Sequence, residues 1–452
     1  MKLVITICRI VVGSLFIVSG LIKVNDAIGF SYKLEEYFSE KALGYPELLP
    51  YVLPIAIFIV VGEVLLGVAT LLGAWPKLTS TLILSMTLFF TWLTYYTWQC
   101  DPLSLGIFES IDGTLYIDNP ECVLTCGCFG DAWVLTPFES FLKDLFLLPF
   151  VLPFFIAAWM KKVPLNTYKE DLYIGIASVV AVAAFSIKMF NWSFPVLFVV
   201  VAMAVGVAIK KFSKEKQYLM ALGVLVLTSY LQYYTVVHLP IKDFRAYAIG
   251  QDLVHNMKSA EELGLEPPKT VQMYTLVHSK TGEVKEIDSD TYVATEIWKD
   301  TNWVMDKNKT YAKKIKDGYE PKILDFLALD MDGNDLKDSL LQMDKVFLVV
   351  LWNPELANKS PLKNIADFAN KAQALGIKVY GFSAADYDAI ENLRHEHQLA
   401  FPFLQGDEKV LKTMIRANPG VMYLEKGKVI NMWSGVDVPT NYEEASAKGF
   451  QP

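Results

Sequence analysis

Four of the five cysteines in this chain lie close together in sequence, between two long apolar segments: Cys100, Cys122, Cys126 and Cys128. The tightest part reads Cys126-Gly127-Cys128, and a glycine between two thiols permits the backbone conformation that so small a disulfide ring requires. A dithiol of this kind exchanges electrons with a neighbouring pair through thiol–disulfide exchange. The residues therefore predict redox chemistry, with Cys126 and Cys128 as one pair and Cys100 and Cys122 as the second.

Two other interpretations of these cysteines stay open. The four sulfurs could form two inert disulfides that brace a loop, or they could bind zinc. The spacing C-x21-C-x3-C-x-C is unlike the C-x2-4-C pairs of zinc sites. Elsewhere, His395 and His397 flank Glu396 on a predicted helix, and we interpret them as part of a solvated face. We therefore predict no metal site.

The composition predicts a membrane protein with a soluble second half. Of the 452 residues, 53% are hydrophobic, and the mean hydropathy is +0.31. Seven apolar segments are each about as long as the ~20 residues that cross ~30 Å of hydrocarbon. They span residues 3–24, 51–75, 78–98, 138–160, 172–190, 194–209 and 218–237. The sequence therefore predicts about seven transmembrane helices in a lipid bilayer.

The distribution of basic residues predicts how these helices are oriented. Lys77 and the lysines within 161–169 and 210–216 lie in alternate loops, and loops rich in lysine resist translocation. This places the N-terminus in the cytoplasm, and it places the loop 99–135 and everything after residue 238 outside. We expect a bacterial inner membrane, where exported thiols are expected to pair. The net charge of −8 mostly describes the acidic exported part and does not indicate nucleic-acid binding.

Ionisable residues within the apolar segments are costly in a bilayer, so they are usually paired or functional. Arg9 lies in the first segment, Glu63 in the second, and Lys143 with Asp144 in the fourth. Under the predicted orientation, Arg9 and Glu63 both lie toward the cytoplasmic half. We predict a structural ion pair between them, and a proton path or a contact to a quinone headgroup is the alternative.

Residues 1–160 resemble the DoxX/MauE family of four-helix membrane proteins. The resemblance rests on residues 9–23, on Gly62-Glu63, and on the segment 126–131 ahead of a helix that contains residues 141–144. It implies a role in maturing a disulfide-rich exported protein. The bundle is also similar in outline to the quinone-linked DsbB and vitamin K epoxide reductase proteins, which implies quinone as an oxidant. Those relatives use a CxxC pair, whereas this chain has CxC.

The last part of the chain, residues 321–452, resembles a thioredoxin-fold domain of the peroxiredoxin/TlpA type. A buried strand at 346–351, a helix at 360–375 and a strand at 378–382 predict a parallel βαβ unit, and residues 418–433 predict a hairpin. Pro419 takes the place of the family's cis-proline, and Trp352 leads into the active-site turn. Leu356 and Lys359 stand where the two thiols would align. We therefore predict a binding module in which Pro419 and Trp352 contact a partner.

The predicted fold class is a multi-domain membrane protein: an α-helical transmembrane bundle followed by an exported α/β thioredoxin-like domain. The predicted divisions are 1–160 (a four-helix bundle with its cysteine loop), 161–238 (three further helices), 239–320 (a small module) and 321–452. The preferred function is thiol–disulfide exchange that assists exported clients, with quinone as the possible oxidant. A non-enzymatic scaffold that binds an envelope protein is the alternative. A subunit of a thiosulfate-type quinone oxidoreductase is a third interpretation, implied by the DoxX resemblance.

Overall fold

Apolar helices form the first half of the structure. The computed structural model describes residues 2–100, 106–109, 115–123, 125–212 and 217–446. Its first helices are α1 (Lys2–Asn25), α2 (Ala27–Phe38), α3 (Val52–Leu72), α4 (Pro76–Gln99), α5 (Pro137–Trp159), α6 (Tyr168–Phe190), α7 (Phe194–Phe212) and α8 (Gln217–Val237). A 3-10 helix, Pro46–Tyr51, leads into α3.

Six helices of the described part are long and apolar enough to cross a membrane: α1, α3 with its 3-10 extension, α4, α5, α6 and α8. The sixth predicted segment, 194–209, is also helical, as α7, but its apolar part covers only Phe194–Lys210. The chain is therefore a multi-pass membrane protein. The twelve-residue helix α2 was not among the predicted segments.

The helix that follows the cysteine loop begins where its sequence signals indicate. The Thr136 side chain accepts a hydrogen bond from the Glu139 backbone N–H, and the Glu139 carboxylate accepts one from the Thr136 N–H. Pro137 occupies the first helical position, where no backbone donor is needed. This reciprocal cap fixes the end of the loop directly above α5.

Two glycines let α1 and α3 pack closely as antiparallel neighbours. A Cβ atom on Gly13 would lie 2.6 Å from Leu71 Cδ2, and one on Gly67 would lie 2.7 Å from Ile17 Cγ1. Small residues allow such approach between helices within a bilayer. The packing fixes which residues of α1 and α3 lie level with each other, and therefore which polar side chains meet.

The predicted ion pair between Arg9 and Glu63 is wrong. Arg9 donates to the backbone oxygens of Thr70 and Leu71 at 3.0 Å each and to Asn166 Oδ1 at 2.7 Å. The two carbonyls belong to the last turn of α3, which lacks intrahelical donors and carries the negative end of the helix dipole. Because α1 and α3 are antiparallel, Arg9 lies beside this helix end, away from Glu63.

Glu63 pairs with Lys23, which lies near the other end of α1. Lys23 Nζ lies 2.6 Å and 2.8 Å from the two carboxylate oxygens, and both side chains are about 95% buried. The α1–α3 packing places Gly20 against Val64, which brings the last turn of α1 level with Glu63. A buried carboxylate is therefore neutralised by the ammonium group of the neighbouring helix.

The cysteine loop and the region after α8 contain the strands. The loop holds a small antiparallel hairpin, β1 (Gly106–Glu109) and β2 (Leu115–Asp118). After a short helix α9 (Leu253–Met257), strands β3 (Lys269–His278), β4 (Val284–Asp288) and β5 (Trp303–Lys316) form an antiparallel sheet with the order β4-β3-β5. Helix α10 (Ser289–Thr295) connects β4 to β5.

The last part of the structure has a thioredoxin-like fold. Its helices are α11 (Lys337–Leu341), α12 (Leu362–Ala374), α13 (Tyr387–His397), α14 (Glu408–Met414) and α15 (Tyr442–Ser446). Its strands are β6 (Val346–Val350), β7 (Lys378–Ser383), β8 (Phe403–Gln405), β9 (Gly420–Glu425) and β10 (Lys428–Ser434), in the order β10-β9-β6-β7-β8. Strands β6, β7 and β8 are parallel, and β9 is antiparallel to β6 and β10. The Asn418–Pro419 peptide bond is cis, as the resemblance implied.

Candidate redox site

The cysteines of the loop form two groups in the structure. Cys100 and Cys122 form a disulfide, the pairing that the sequence analysis favoured. Cys126 and Cys128 are free, buried thiols whose sulfur atoms lie 2.7 Å apart. Cys8 is also free, and it is buried in α1 away from the loop. The structure thus combines one disulfide and one closely spaced dithiol in the same loop.

A tight turn and an aromatic anchor hold the dithiol in place. Gly127 has a φ of +70°, a left-handed conformation that glycine adopts without steric cost, and its carbonyl accepts a hydrogen bond from Gly130. Phe129 packs against Trp133 and Phe190 at ring centroid distances of 5.8 and 5.9 Å. The loop therefore inserts into the top of the bundle and does not lie free in solvent.

Charged side chains lie directly beneath the thiols. Ser19 Oγ is 3.4 Å from both Glu63 Oε2 and the backbone oxygen of Cys128, and Lys23 Nζ donates to Ser19 at 3.0 Å. On the α5 side, Lys143 pairs with Asp144 at 2.7 Å. The sequence analysis missed Ser19 and Lys23 as residues of this site. The sequence signal that could have identified Lys23 was its charged side chain near the end of an apolar segment.

The contact between the two sulfurs separates their pKa values. The hydrogen bond that Cys126 donates lowers the pKa of Cys128 to about 6, and the Lys143 ammonium acts in the same direction, against the effect of burial. The same contact and burial raise the pKa of Cys126. The pair therefore holds one thiolate and one thiol near neutral pH, which is the state of an attacking dithiol.

This separation predicts the pH dependence of alkylation. We expect the rate at which iodoacetamide modifies the reduced pair to fall as the pH drops through about 6, because protonation of Cys128 removes the thiolate. Lys143→Gln should move this midpoint upward, since it removes a cation that stabilises the thiolate. The rate is followed by mass spectrometry of the peptide that contains both cysteines. A midpoint near the ordinary thiol value of about 8.5 would contradict the prediction.

An aromatic hollow borders the Cys100–Cys122 disulfide. Its volume is about 450 Å³, and besides the two cysteines its lining comprises Thr97, Trp98, Val123, Thr136, Pro137 and Phe138. The Trp98 and Phe138 rings pack at 4.9 Å and are 41% and 43% exposed at the ends of α4 and α5. The disulfide therefore faces a cavity that opens where the membrane helices end.

Tyr37 of α2 links the two cysteine groups. Its side chain packs with Val123, and its hydroxyl lies 3.4 Å from Thr97 Oγ1 at the hollow. It also lies close enough to Cys126 for an electrostatic interaction. Tyr37 thus contacts the lining of the hollow beside the disulfide and also lies near the dithiol.

The thioredoxin-like domain docks on the same end of the bundle. Arg416, three residues before the cis-proline, pairs with Asp131 at 2.9 Å and with Asp26 at 3.0 Å. Asp131 follows the CGC segment, and Asp26 caps α2. Burial opposes the charge on Arg416, but the two carboxylates raise its pKa above the ordinary value. The guanidinium therefore remains charged and joins the domain to both elements.

The predicted partner-binding surface faces the chain's own α2. Trp352 is 8% exposed, and its ring meets the ring of Tyr32 edge-on at a centroid distance of 6.3 Å. Lys412 Nζ lies 4.7 Å from the centroids of both rings. The turn after Trp352 contains no cysteine, and Leu356 is exposed. That Pro419 and Trp352 bind another protein stays a prediction.

A family model and a solved structure are similar to parts of this chain. The family described as methylamine utilisation protein MauE matches residues 1–102, a range that ends before the CGC segment. No curated protein matches the chain significantly. A solved structure, that of a secreted Mycobacterium tuberculosis disulfide oxidoreductase homologous to E. coli DsbE, is 20% identical and covers 27% of this chain and 93% of that chain, with a TM-score of 0.21.

That TM-score is too low to carry an argument, so the thioredoxin-like assignment rests on the strand order and directions of the C-terminal sheet. The MauE match describes the N-terminal part of the chain alone. The protein is therefore a multi-pass membrane protein with a MauE-like N-terminal region and a thioredoxin-like C-terminal domain.

Proposed function

We propose that this protein is a membrane thiol–disulfide oxidoreductase that oxidises dithiols of exported proteins and passes the electrons to a quinone. The observation that carries the proposal is the buried Cys126–Cys128 dithiol, with its sulfurs 2.7 Å apart, in the same loop as the Cys100–Cys122 disulfide. A lowered thiol pKa and a nearby disulfide are the two requirements for exchange between pairs.

The first step oxidises the client. A client thiolate attacks the Cys126–Cys128 disulfide and forms a mixed disulfide, which releases one of the two cysteines as a thiol. The second client thiol then attacks the mixed disulfide, so the client leaves oxidised. Two electrons and two protons have moved from the client to the pair.

The second step transfers the electrons to the other pair. The Cys128 thiolate attacks the Cys100–Cys122 disulfide, and Cys126 resolves the resulting mixed disulfide. The Cys126–Cys128 disulfide is restored, and Cys100 and Cys122 become a dithiol. This step requires a reduced Cys126–Cys128 pair and an oxidised Cys100–Cys122 pair.

The aromatic hollow at Cys100–Cys122 fits a quinone. Its volume of about 450 Å³ lies within the usual range for small-molecule sites. Trp98 and Phe138 offer flat apolar walls for the ring. A quinone bound there takes up two electrons and two protons, which restores the disulfide.

Two features support an exported location for the site. The basic loops follow the pattern of cytoplasmic loops, as described for the sequence, and the cysteine loop has no lysine or arginine. The Arg416–Asp131 ion pair keeps the cysteine loop and the thioredoxin-like domain at the same end of the bundle. We therefore propose the inner membrane of a bacterium, with this end in the periplasm.

A scaffold that binds an envelope protein is the second candidate. The observation in its favour is the thioredoxin-like turn without cysteines, where Leu356 and Lys359 replace the thiols. In that case the Cys100–Cys122 disulfide only braces the loop, and the thiols never change their redox state.

Trapping of thiol states in cells separates the two candidates. We expect Cys126 and Cys128 to become more reduced when quinone synthesis is blocked, because the electrons have no acceptor. Cells are quenched with acid and labelled with a maleimide, and the labelled protein is resolved by mass. A Cys100→Ser/Cys122→Ser variant should show the reduced state even with quinone present. Unchanged thiol states under both treatments would favour the scaffold.

A further inference from the structure

A cleft lined by charged and apolar side chains separates the membrane bundle from the thioredoxin-like domain. Its volume is about 660 Å³. Thr125, Gly127 and Gly130 of the cysteine loop line one wall, and Lys409 and Thr413 of the α14 region line the opposite wall. The cleft is thus the space in the described structure where solvent approaches the backbone of the CGC segment.

The thiols themselves do not open into this cleft. Cys126 and Cys128 are 6% and 8% exposed, and Gly127 between them is the residue that lines it. The aliphatic part of Lys33 lies over Gly127, since a Cβ atom there would be 3.1 Å from Lys33 Cγ. Lys33 Nζ is held by Glu36 at 2.7 Å, one helical turn further along α2. One side chain therefore covers the turn that carries the dithiol.

Neighbouring residues of α2 anchor the helix to the thioredoxin-like domain. Glu35 pairs with Lys412 at 2.9 Å, and Tyr32 contacts Trp352. The helix thereby keeps a fixed position between the domain and the thiols, while Lys33 can move without breaking these contacts. A side chain with one partly exposed ion pair to its own helix is released at a low cost, because such pairs contribute little to stability.

The lining of the cleft indicates what it accepts. Acidic and basic side chains occur there in nearly equal numbers, and many are already paired, as in Arg416–Asp131 and Lys412–Glu35. Because these charges nearly cancel, the cleft has no net electrostatic field that would attract a small charged thiol. Its polar groups still provide hydrogen-bond donors and acceptors for a peptide backbone. The size suits a short extended segment and is too small for a folded domain.

We propose that client cysteines reach the Cys126–Cys128 pair through this cleft as part of an extended polypeptide, and that the Lys33 side chain is the gate they displace. What happens to the client after it reaches the cysteine pair rests on the proposed function. The access route itself is a property of the protein that can be measured without turnover. The thioredoxin-like domain then serves as the second wall of the client site, with no thiol of its own.

The gate is tested by alkylation of the full-length reduced protein in detergent with a bulky maleimide. Lys33→Ala should raise the rate at Cys126 and Cys128 by roughly threefold to tenfold, because it removes the methylene groups above Gly127. Lys33→Met retains those methylene groups without the charge, and it should react at close to the native rate. Lys299→Ala, at an exposed lysine outside the cleft lining, is the matched control and should have no effect.

Three results would overturn the gate. The first is a native rate in Lys33→Ala, and the second is an equal increase in Lys299→Ala. The third is a slower rate in both Lys33 variants, since Lys33 would then act through its charge on the thiolate. These rates do not depend on quinone or on a client. They therefore separate failure of the gate from failure of the oxidoreductase function.

The route is tested by narrowing the cleft with Thr413→Trp. With the pair oxidised and no quinone added, we expect a reduced unfolded peptide that contains one cysteine to form a mixed disulfide several-fold more slowly in this variant. Reaction with dithiothreitol, a small thiol, should keep its native rate. A native rate for the peptide would overturn the route through the cleft, and so would equal slowing of both thiols, since the cleft would then not discriminate by size.

Discussion

Replacing Cys128 by serine is expected to reduce client oxidation to the uncatalysed rate. The serine hydroxyl cannot form a disulfide, so neither the exchange with the client nor the transfer to Cys100–Cys122 can be completed. Cys126→Ser should be equally inactive in turnover, because no resolving thiol remains. The measurement is the loss of free thiols from a reduced unfolded protein, with purified enzyme and a soluble quinone.

The matched control is Cys8→Ser, which removes the free thiol that lies in α1, away from the loop. It should retain native turnover. The two active-site variants are also expected to differ in one respect: Cys126→Ser keeps the Cys128 sulfur, which can attack the Cys100–Cys122 disulfide, and it should accumulate the internal mixed disulfide that Cys126 would resolve. Native turnover in either active-site variant would exclude the CGC pair as the site of exchange.

Removing one partner of the Lys23–Glu63 pair should destabilise the bundle by about 3–5 kcal/mol, the usual cost of leaving a buried charge uncompensated. Both side chains are about 95% buried, so water cannot solvate the charge that remains. The expected result for Lys23→Met or Glu63→Leu alone is a lower midpoint of unfolding by denaturant in detergent micelles. The double variant should recover most of the loss, since it buries no charge.

An exposed pair provides the reference for this experiment. Lys299 and Glu296 are 63% and 55% exposed, and breaking such a pair should change the free energy of unfolding by less than about 1 kcal/mol. If the single variants at Lys23 and Glu63 behaved like this surface pair, the buried ion pair would not hold the α1–α3 contact together. A double variant less stable than either single one would point to lost packing instead.

The parts of the fold that local sequence determines were predictable. Segments of apolar residues indicate membrane helices by their length, and the Thr136-to-Glu139 pattern locates the start of α5. The strand, helix and hairpin order after residue 321 indicates the thioredoxin-like sheet and its cis-proline. Each of these features depends on residues near one another in the chain.

The features that depend on how helices pack could not be predicted from local sequence patterns. Arg9 and Glu63 lie in neighbouring helices, but only the antiparallel α1–α3 packing shows that Lys23 is level with Glu63. Helix α2 is too short and too polar to be found as a membrane segment. The contact of Arg416 with Asp131 joins residues far apart in sequence, and no local pattern indicates it.

A continuous chain attaches the thioredoxin-like domain to the membrane bundle. Because both belong to one polypeptide, the contact of Arg416 with Asp26 and Asp131 forms at an effective concentration set by the intervening segment, typically millimolar for short linkers. Its occupancy is therefore independent of how much protein the cell makes. Salt, which screens these ion pairs, can loosen the contact, whereas dilution cannot.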